Sequence, residues 1–155
     1  MNLNVINPNY NGQDLLKKNL PKVFDAMSLY KNGKVEIIVI DDCSTDNSLI
    51  EIQNAKIKSQ NYNLKFKSIR NENNLGFSSS VNKAVESASG DILILLNTDV
   101  APEKGFLDPL LSHFKDDEVF AVGCMDKSVE NREIVLRGRG IGAWKRGFMV
   151  HSRGE

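Results

Sequence analysis

Five short apolar runs alternate with segments in which apolar residues recur at helical spacing. We predict that the runs are β-strands, at residues 3–6, 35–40, 64–69, 92–96 and 119–123, and that the segments between them are helices. The run at 92–96 has the composition of a central strand. Strict alternation of this kind is typical of an α/β fold in which a parallel sheet carries helices on its faces.

Each predicted helix has one apolar stripe. In the first helix, Pro21 interrupts the stripe, so we expect a kink or a break there. The second helix is expected to start at Ser44–Thr45–Asp46, whose side chains can cap it. The third helix is the most regular and is expected to end at Gly90. The stripe residues, all expected in the core, are Leu16, Leu20, Val23, Phe24 and Met27, then Leu49, Ile50, Ile52 and Ile57, then Phe77, Val81, Ala84, Val85 and Ala88.

The pattern loosens after Cys124. Residues 125–155 are rich in charge and glycine, and we expect irregular or hairpin structure there. The segment RGRGIG, residues 137–142, resembles a phosphate loop in composition only. We reject that interpretation because the following AWKRGF is a poor helix start.

Length and composition narrow the class of protein. The 155 residues suit one globular core, and 20 basic residues balance 20 acidic ones, so no overall field recruits nucleic acid. The amino end lacks the features of a signal peptide, and no window is apolar enough to span a membrane. We therefore expect a soluble cytoplasmic protein. Cys43 and Cys124 are predicted to be buried free thiols.

All four of the first predicted strands end in polar residues. These clusters are 7–11, 41–42, 71–74 and 97–99. Because the carboxyl ends of parallel strands meet at one edge of a sheet, we expect the clusters to form one crevice. Turns also favour Asn, Asp, Gly and Pro for backbone reasons alone, which is the alternative for any single cluster.

Two features favour a ligand site over plain turns. Asp41 and Asp42 are adjacent carboxylates, whereas a turn needs only one; one would hold the backbone and the other a ligand. Asp99 is suited to a hard divalent cation that also binds phosphate oxygens.

At this point the motifs resemble those of the family 2 glycosyltransferases, which have the GT-A fold. The motifs are PNYNG, VIDDCSTDNS, NENNLGFSSSVNKAVESASGD and ILLNTDVAPEKGFLDPLL, and they cover roughly residues 3–125 in the family's order. The LLNTDV form is most similar to the branch with bacterial rhamnosyltransferases and related enzymes of surface-polysaccharide synthesis. The resemblance implies a nucleotide-sugar-binding GT-A core at 1–125 and the beginning of an acceptor-side region at 126–155.

The resemblance also implies roles for single residues. Asp42 would bond the nucleotide base with Asp41 in support, and Asp99 would bind Mn²⁺ or Mg²⁺ on the diphosphate. Asn97 stands where the family has a first Asp, so the metal would rest mainly on Asp99, with Asn97 a second ligand at most. The nucleotide-binding set is Pro8, Tyr10, Asn11, Asp41, Asp42, Asn74, Gly76, Asn82, Asn97 and Thr98.

The implied reaction is inverting transfer from a UDP- or dTDP-linked sugar to a saccharide or lipid-linked acceptor, at the inner face of the membrane or in the cytoplasm. The family's catalytic carboxylate lies further along the chain than Glu155, so we expect a fragment or a shortened relative that transfers sugar poorly. Two alternatives stay open. One is a non-catalytic nucleotide-binding or interaction module, and the less favoured other is a sugar nucleotidyltransferase, whose glycine-rich basic loop after the first strand has no counterpart in PNYNG.

Overall fold

A computed structural model of the chain describes residues 1–62, 64–138 and 140–153. The chain divides into two compact units, Met1–Leu107 and Asp108–Glu155.

The first unit alternates strands and helices. It contains β1 (Leu3–Asn9), α1 (Gln13–Ser28), β2 (Val35–Asp41), α2 (Ser48–Ser59), a short 3₁₀ helix (Gln60–Tyr62), β3 (Lys65–Arg70), α3 (Phe77–Glu86) and β4 (Ile92–Leu95). Helix α4 (Leu107–His113) follows, and the second unit continues with β5 (Asp126–Glu130), β6 (Glu133–Arg137), β7 (Gly140–Lys145) and β8 (Phe148–Arg153).

Strands β1 to β4 form one parallel sheet in the order β3-β2-β1-β4. This confirms the α/β class and the four predicted strands. The prediction that the run at 92–96 is a central strand is wrong, because β4 lies at an edge of this sheet. Leu93 and Leu95 are alternate residues of β4, so their side chains lie on one face of the strand. They are 46% and 53% exposed on this edge strand, which has a partner on one side only.

Helices cover both faces of the sheet. On one face, α3 packs Ala84 against Ile38 and Ile40 of β2. On the other, Phe24 of α1 contacts Phe66 of β3, with ring centroids 5.9 Å apart. Because side chains alternate along a strand, this arrangement buries β2 on both sides.

Helix α1 is continuous through Pro21, so the predicted break is wrong. Its buried stripe continues on both sides of the proline, from Leu16 to Met27. Packing of that stripe outweighs the one backbone hydrogen bond that proline removes. The i−4 residue, Lys17, is exposed, so water can reach this part of the helix.

Helix α2 begins at Ser48, whose N–H donates to Asp46 Oδ1 over 2.9 Å, so the predicted capping role of Asp46 is confirmed. The Ser44 hydroxyl accepts the N–H of Asn11 and does not cap this helix. The stripe of α2 is narrower than the sequence indicates. Ile52 is buried, but Ile50 and Ile57 are 54% and 66% exposed. The prediction of a core role for these two residues is wrong.

Helix α3 differs from its prediction at both ends. Phe77, its first residue, is 54% exposed and not in the core. The helix ends at Glu86, so Gly90 is not its cap. Gly90 instead lets the chain pass close to Asn4, whose Oδ1 accepts the Gly90 N–H over 2.5 Å; a Cβ at Gly90 would lie only 2.3 Å from that oxygen.

The second unit contains two antiparallel hairpins, β5–β6 and β7–β8, which confirms the hairpin prediction for residues after 125. Residues 119–123 form no strand, against prediction, and Phe120 is 98% exposed. An apolar run alone does not make a strand, because a strand needs a hydrogen-bonded partner. Neither thiol is fully buried: Cys43 is intermediate and Cys124 exposed, so that prediction was also wrong.

Candidate functional site

The carboxyl ends of β1, β2 and β3 and the segment after β4 lie at one edge of the sheet, as predicted. Backbone bonds extend the ladder past the strand ends: the N–H of Asp42 donates to Asn9 and the N–H of Asn71 donates to Asp41, each over 2.8 Å. The strand order reverses direction between β1 and β4, which is where open α/β sheets bind ligands. Four polar clusters therefore share one edge.

Asp41 is committed to the protein itself. It is 1% exposed, and its carboxylate accepts from Asn9 Nδ2 at 2.9 Å and from the N–H of Ser44 at 3.1 Å. Arg70 Nε lies 3.7 Å from the same carboxylate. Because its oxygens accept hydrogen bonds from the protein, Asp41 can support the site by holding neighbouring residues in place.

Asp42 holds the loop between β3 and α3. Its Oδ1 accepts the N–H of Leu75 and the amide of Asn71, and its Oδ2 accepts the N–H of Gly76, all over 2.8 Å. Burial alone would raise the pKa of Asp42, but these bonds, with a contribution from Ser80, outweigh it and the pKa lies below its ordinary value. Among the described residues, Oδ2 accepts one hydrogen bond, from Gly76, so it can accept another.

Gly76 is the point at which this loop turns into α3. Its φ of +83° and ψ of 167° are a conformation that side-chain-bearing residues avoid. Asn74 is exposed, and its Oδ1 accepts the Gly76 N–H over 3.2 Å. Asn82 is exposed on α3. The predicted nucleotide wall is thus a surface loop whose shape depends on Gly76 and Asp42.

Asn11 and Asp46 tie the loop after β1 to the loop after β2. Asn11 Oδ1 accepts the N–H of Thr45 over 2.8 Å, and Asp46 Oδ2 accepts the N–H of Gln13 over 3.0 Å. Asp46 Oδ1 also accepts the N–H of Ser48 over 2.9 Å. Burial opposes ionisation of Asp46, but the bonds from Ser48 and Gln13 hold its pKa below the ordinary value.

Pro8 and Tyr10 stand beside this pair of loops. Pro8 is half-buried at the end of β1, and the Tyr10 side chain is 54% exposed. An exposed aromatic ring at the carboxyl edge is available to stack on a planar ligand.

The segment after β4 is held by two buried amides. Asn7 Nδ2 donates to the carbonyl of Leu96 over 2.6 Å, and Asn19 Nδ2 donates to the carbonyl of Thr98 over 2.9 Å. The N–H of Val100 then closes a turn onto the carbonyl of Asn97. The side chains of Asn97 and Asp99 are exposed at this turn. The backbone is fixed and the two potential ligands are free to reach a cation.

The donor set at this turn fits a cation that is shared with a ligand. In the part of the chain that the structure describes, no three His, Cys, Asp or Glu side chains come together as a metal cage. Asp99 provides one carboxylate and Asn97 one amide oxygen. Magnesium and manganese bind through one or two carboxylates when phosphate oxygens and water complete the shell.

Two residues that shape the site, Asn19 and Ser80, were missed from the sequence. Asn19 and Ser80 were detectable in principle, since each is a polar residue on the apolar face of its helix, at 4% and 1% exposure. In the part of the chain that the structure describes, the buried Oδ1 atoms of Asn7 and Asn9 have no hydrogen-bond partner. Asn7, Asn9 and Asn71 belong to the polar clusters predicted for this edge, and Ser44 and Asp46 were predicted as helix caps, but the contacts that these five residues make in the site were not predicted.

The segment RGRGIG lies in the second unit. Residues 141–145, directly after RGRG, belong to strand β7 and not to a helix, so rejecting a phosphate loop is confirmed. Arg139, within that motif, lies outside the described residues, as does Glu155. Every described helix is too short or too polar to cross a membrane.

Comparison with known proteins gives one family and a common fold. The family model for "Glycosyl transferase family 2" matches residues 4–152. Among curated relatives, an uncharacterized glycosyltransferase of Haemophilus influenzae is 31% identical over 104 residues, covering 66% of this chain and 31% of its own. A dolichol-phosphate mannosyltransferase of Pyrococcus furiosus is 28% identical over 123 residues, covering 79% and 33%. The chain thus spans about a third of the length of these relatives.

Solved structures share the arrangement of the sheet. The mannosyltransferase PcManGT of Pyrobaculum calidifontis, in complex with GDP-Man and Mn²⁺, superposes with a TM-score of 0.69 at 23% identity, covering 76% of this chain and 33% of its own. S. aureus TarS 1-349, in complex with UDP-GlcNAc, superposes with a TM-score of 0.63 at 26% identity, covering 74% and 31%.

Proposed function

The chain belongs to glycosyltransferase family 2, and from that premise we propose that it is the donor-binding part of an enzyme of sugar transfer. The donor is a nucleoside-diphosphate sugar, UDP- or dTDP-linked, and the acceptor is a hydroxyl of a saccharide or a lipid-linked saccharide. Transfer proceeds with inversion at the sugar.

One observation carries this proposal. The parallel order β3-β2-β1-β4 gathers Asp42, the loop to Gly76 and the turn at Asn97–Asp99 along one edge, on either side of the switch point. A base pocket and a cation ligand at that edge suit the two ends of a nucleoside diphosphate. The TarS structure, which holds UDP-GlcNAc, supports a ligand of this class.

The base and ribose occupy the side of Asp42. Its Oδ2 has one protein donor and accepts a second from a ring N–H of the base, while Asp41 supports it from beneath. Tyr10 stacks on the base, with Pro8 beside it. The remaining residues of the pocket are Asn11, Asn74, Gly76, Asn82, Asn97 and Thr98.

The diphosphate lies towards the turn after β4. Asp99 holds a divalent cation there, Mn²⁺ or Mg²⁺, and Asn97 contributes an uncharged oxygen at most. When bound, such a cation stabilises the negative charge of a departing nucleoside diphosphate. Asn7 and Asn19 donate to the carbonyls of Leu96 and Thr98, and these bonds keep the backbone next to Asp99 in place.

Transfer also needs a carboxylate that deprotonates the acceptor hydroxyl. Because the chain spans about a third of its curated relatives, we place this base outside residues 1–155, and we expect this chain alone to bind donor and to transfer sugar poorly. The proposed setting is bacterial surface-polysaccharide synthesis of the rhamnosyltransferase-like branch, in the cytoplasm with contact to the inner face of the membrane.

Thermal unfolding of residues 1–155 with UDP, dTDP and GDP, each with and without Mn²⁺, tests the proposal. We expect one nucleotide to raise the melting temperature more when Mn²⁺ is present. Asp99→Ala should remove the metal-dependent part, and Asp42→Ala should weaken preference among bases. If no nucleotide stabilises the chain, a non-catalytic interaction module replaces this proposal.

A further inference from the structure

Asn71 connects Asp42 to a lysine on α3. It is 0% exposed at the end of β3, and its Nδ2 donates to Asp42 Oδ1 over 2.8 Å and to Ser80 Oγ over 2.9 Å. Its Oδ1 accepts from Lys83 Nζ over 2.9 Å. These three side-chain hydrogen bonds join Asn71 to Asp42 on one side and to α3 on the other.

The orientation of the Asn71 amide follows from its neighbours. If the amide were reversed, its oxygen would face the Asp42 carboxylate and its NH₂ would face the Lys83 ammonium, and both contacts would be repulsive. The ammonium therefore polarises the amide in the direction that strengthens its donation to Asp42. A positive charge on an exposed face of α3 acts on a carboxylate that is 5% exposed.

Asp42 in turn determines the shape of the loop before α3. The N–H groups of Leu75 and Gly76 are held by this carboxylate. A protonated Asp42 would lose acceptor strength towards both, and the loop would be released.

We propose that Lys83 and Asn71 are positioning residues, which keep the Asp42 carboxylate ionised and the loop to Gly76 in its nucleotide-binding shape. Neither residue contacts the nucleotide. This inference rests on the proposed function for its consequence in binding, although the loop itself can be observed without any ligand.

The other charged groups around Asp42 are not connected to its carboxylate through Asn71. Arg70 on β3 pairs with Asp41 and donates to the carbonyl of Ser44. The remaining titratable groups on the neighbouring segments are Asp41, Cys43, Asp46 and Glu72.

Lys67 provides a matched control for Lys83. It also donates from its ammonium to a group next to α3, the carbonyl of Ser87, over 3.3 Å. That bond lies at the opposite end of the helix from Gly76. Lys67→Met therefore removes a comparable lysine bond without touching the link to Asp42.

The experiment follows amide hydrogen exchange of Leu75 and Gly76 in the ligand-free chain as pH is lowered. In Lys83→Met we expect the pH at which protection is lost to rise by roughly 0.3–0.5 unit. In Asn71→Asp, which places a second carboxylate against Asp42, we expect a rise of about one unit or more. Lys67→Met should match the wild type.

Binding of UDP with Mn²⁺, measured by calorimetry over the same pH range, separates the two proposals. If binding is lost at higher pH in Lys83→Met in step with the loop, both hold. Suppose that the pH at which Leu75 and Gly76 lose protection rises in Lys83→Met, while UDP, dTDP and GDP all fail to bind the wild type. The positioning role of Lys83 and Asn71 then stands and the proposed function fails. If protection is lost at the same pH in Lys83→Met and Lys67→Met, the positioning role is overturned. That comparison holds even if Asn71→Asp does not fold.

Discussion

The side-chain amide of Asn19 on α1 donates to the carbonyl of Thr98 over 2.9 Å. This bond links a helix that follows β1 to the turn that follows β4, 79 residues further along the chain. Its donor is 4% exposed. The position of the proposed cation ligand therefore depends on α1 as well as on its own strand.

Replacing Asn19 with leucine should weaken metal-dependent nucleotide binding. Leucine keeps the branching at Cγ but has no donor for the Thr98 carbonyl, so we expect a loss of about threefold to tenfold in affinity with Mn²⁺. Calorimetry with and without Mn²⁺ measures it. Asn54→Leu, an exposed site on α2, is the control, and an equal loss without metal would contradict the argument.

Replacing Asp46 should destabilise two helices at once. Its carboxylate accepts the first N–H of α1, at Gln13, and the first N–H of α2, at Ser48. The residue that precedes each helix makes no side-chain cap. We expect Asp46→Ala to lower the free energy of unfolding by about 1–3 kcal/mol, as measured by urea denaturation.

Asp14→Ala is the comparison for Asp46→Ala. Asp14 is an exposed acid in the first turn of α1 and interacts with the helix end by charge alone. We expect that variant to cost under about 1 kcal/mol. Similar losses in the two variants would show that Asp46 acts by charge and not as a shared cap.

The stability of the first unit should fall in acid. The pKa values of Asp42 and Asp46 are lowered in the folded protein from an ordinary value of 3.8. Each group thus contributes stability that is fully present above pH 3.8 and is lost as pH falls through the lower folded pKa. Urea unfolding between pH 2 and 6 checks this, and a double Asp42→Asn, Asp46→Asn variant should show a shallower decline.

Cys43 occupies a backbone conformation that favours glycine. Its φ is +61°, and its thiol donates to the carbonyl of Glu72 over 3.3 Å. Cys43→Ala loses the thiol bond and keeps the strain, whereas Cys43→Gly loses both. We expect the glycine variant to be the more stable of the two by about 1 kcal/mol in urea unfolding. The reverse order would mean that the strain is negligible.

Replacing Asn97 with aspartate should strengthen the cation site. Both residues 97 and 99 are exposed at the turn, so a second carboxylate can join Asp99 without displacing a packed group. We expect about tenfold tighter binding of Mn²⁺ in the presence of nucleotide, measured by electron paramagnetic resonance. Asn54→Asp, at an exposed position of α2, adds the same charge outside the site and should leave Mn²⁺ affinity nearly unchanged.

The sheet and its polar edge could be predicted because both are local patterns. The β-branched run at 35–40 specifies a strand buried on both faces, and polar residues directly follow the strands. Burial of individual residues could not be predicted equally well. Phe77 and Ile57 match the helical period, yet they are exposed because no described element of the first unit covers their side.

The adjacent carboxylates show the same limit in the site. Their sequence indicates that two acids have different tasks, and period-two geometry turns them to different sides of the strand end. It does not indicate that Asn9 approaches Asp41 or that Leu75 and Gly76 approach Asp42. Partners 32 to 34 residues apart are determined by the register of neighbouring strands and by loop closure.

The crossed bonds between the loops after β1 and β2 bear on chimeric enzymes. Asn11 holds Thr45, and Asp46 holds Gln13, so each loop supplies part of the other's framework. A graft that exchanged only one of them with a relative would remove one of these two side-chain acceptors and leave a backbone N–H of the other loop without its partner. Segments 10–13 and 43–48 therefore act as one structural unit. We expect donor preference to transfer between relatives only when both segments are exchanged together.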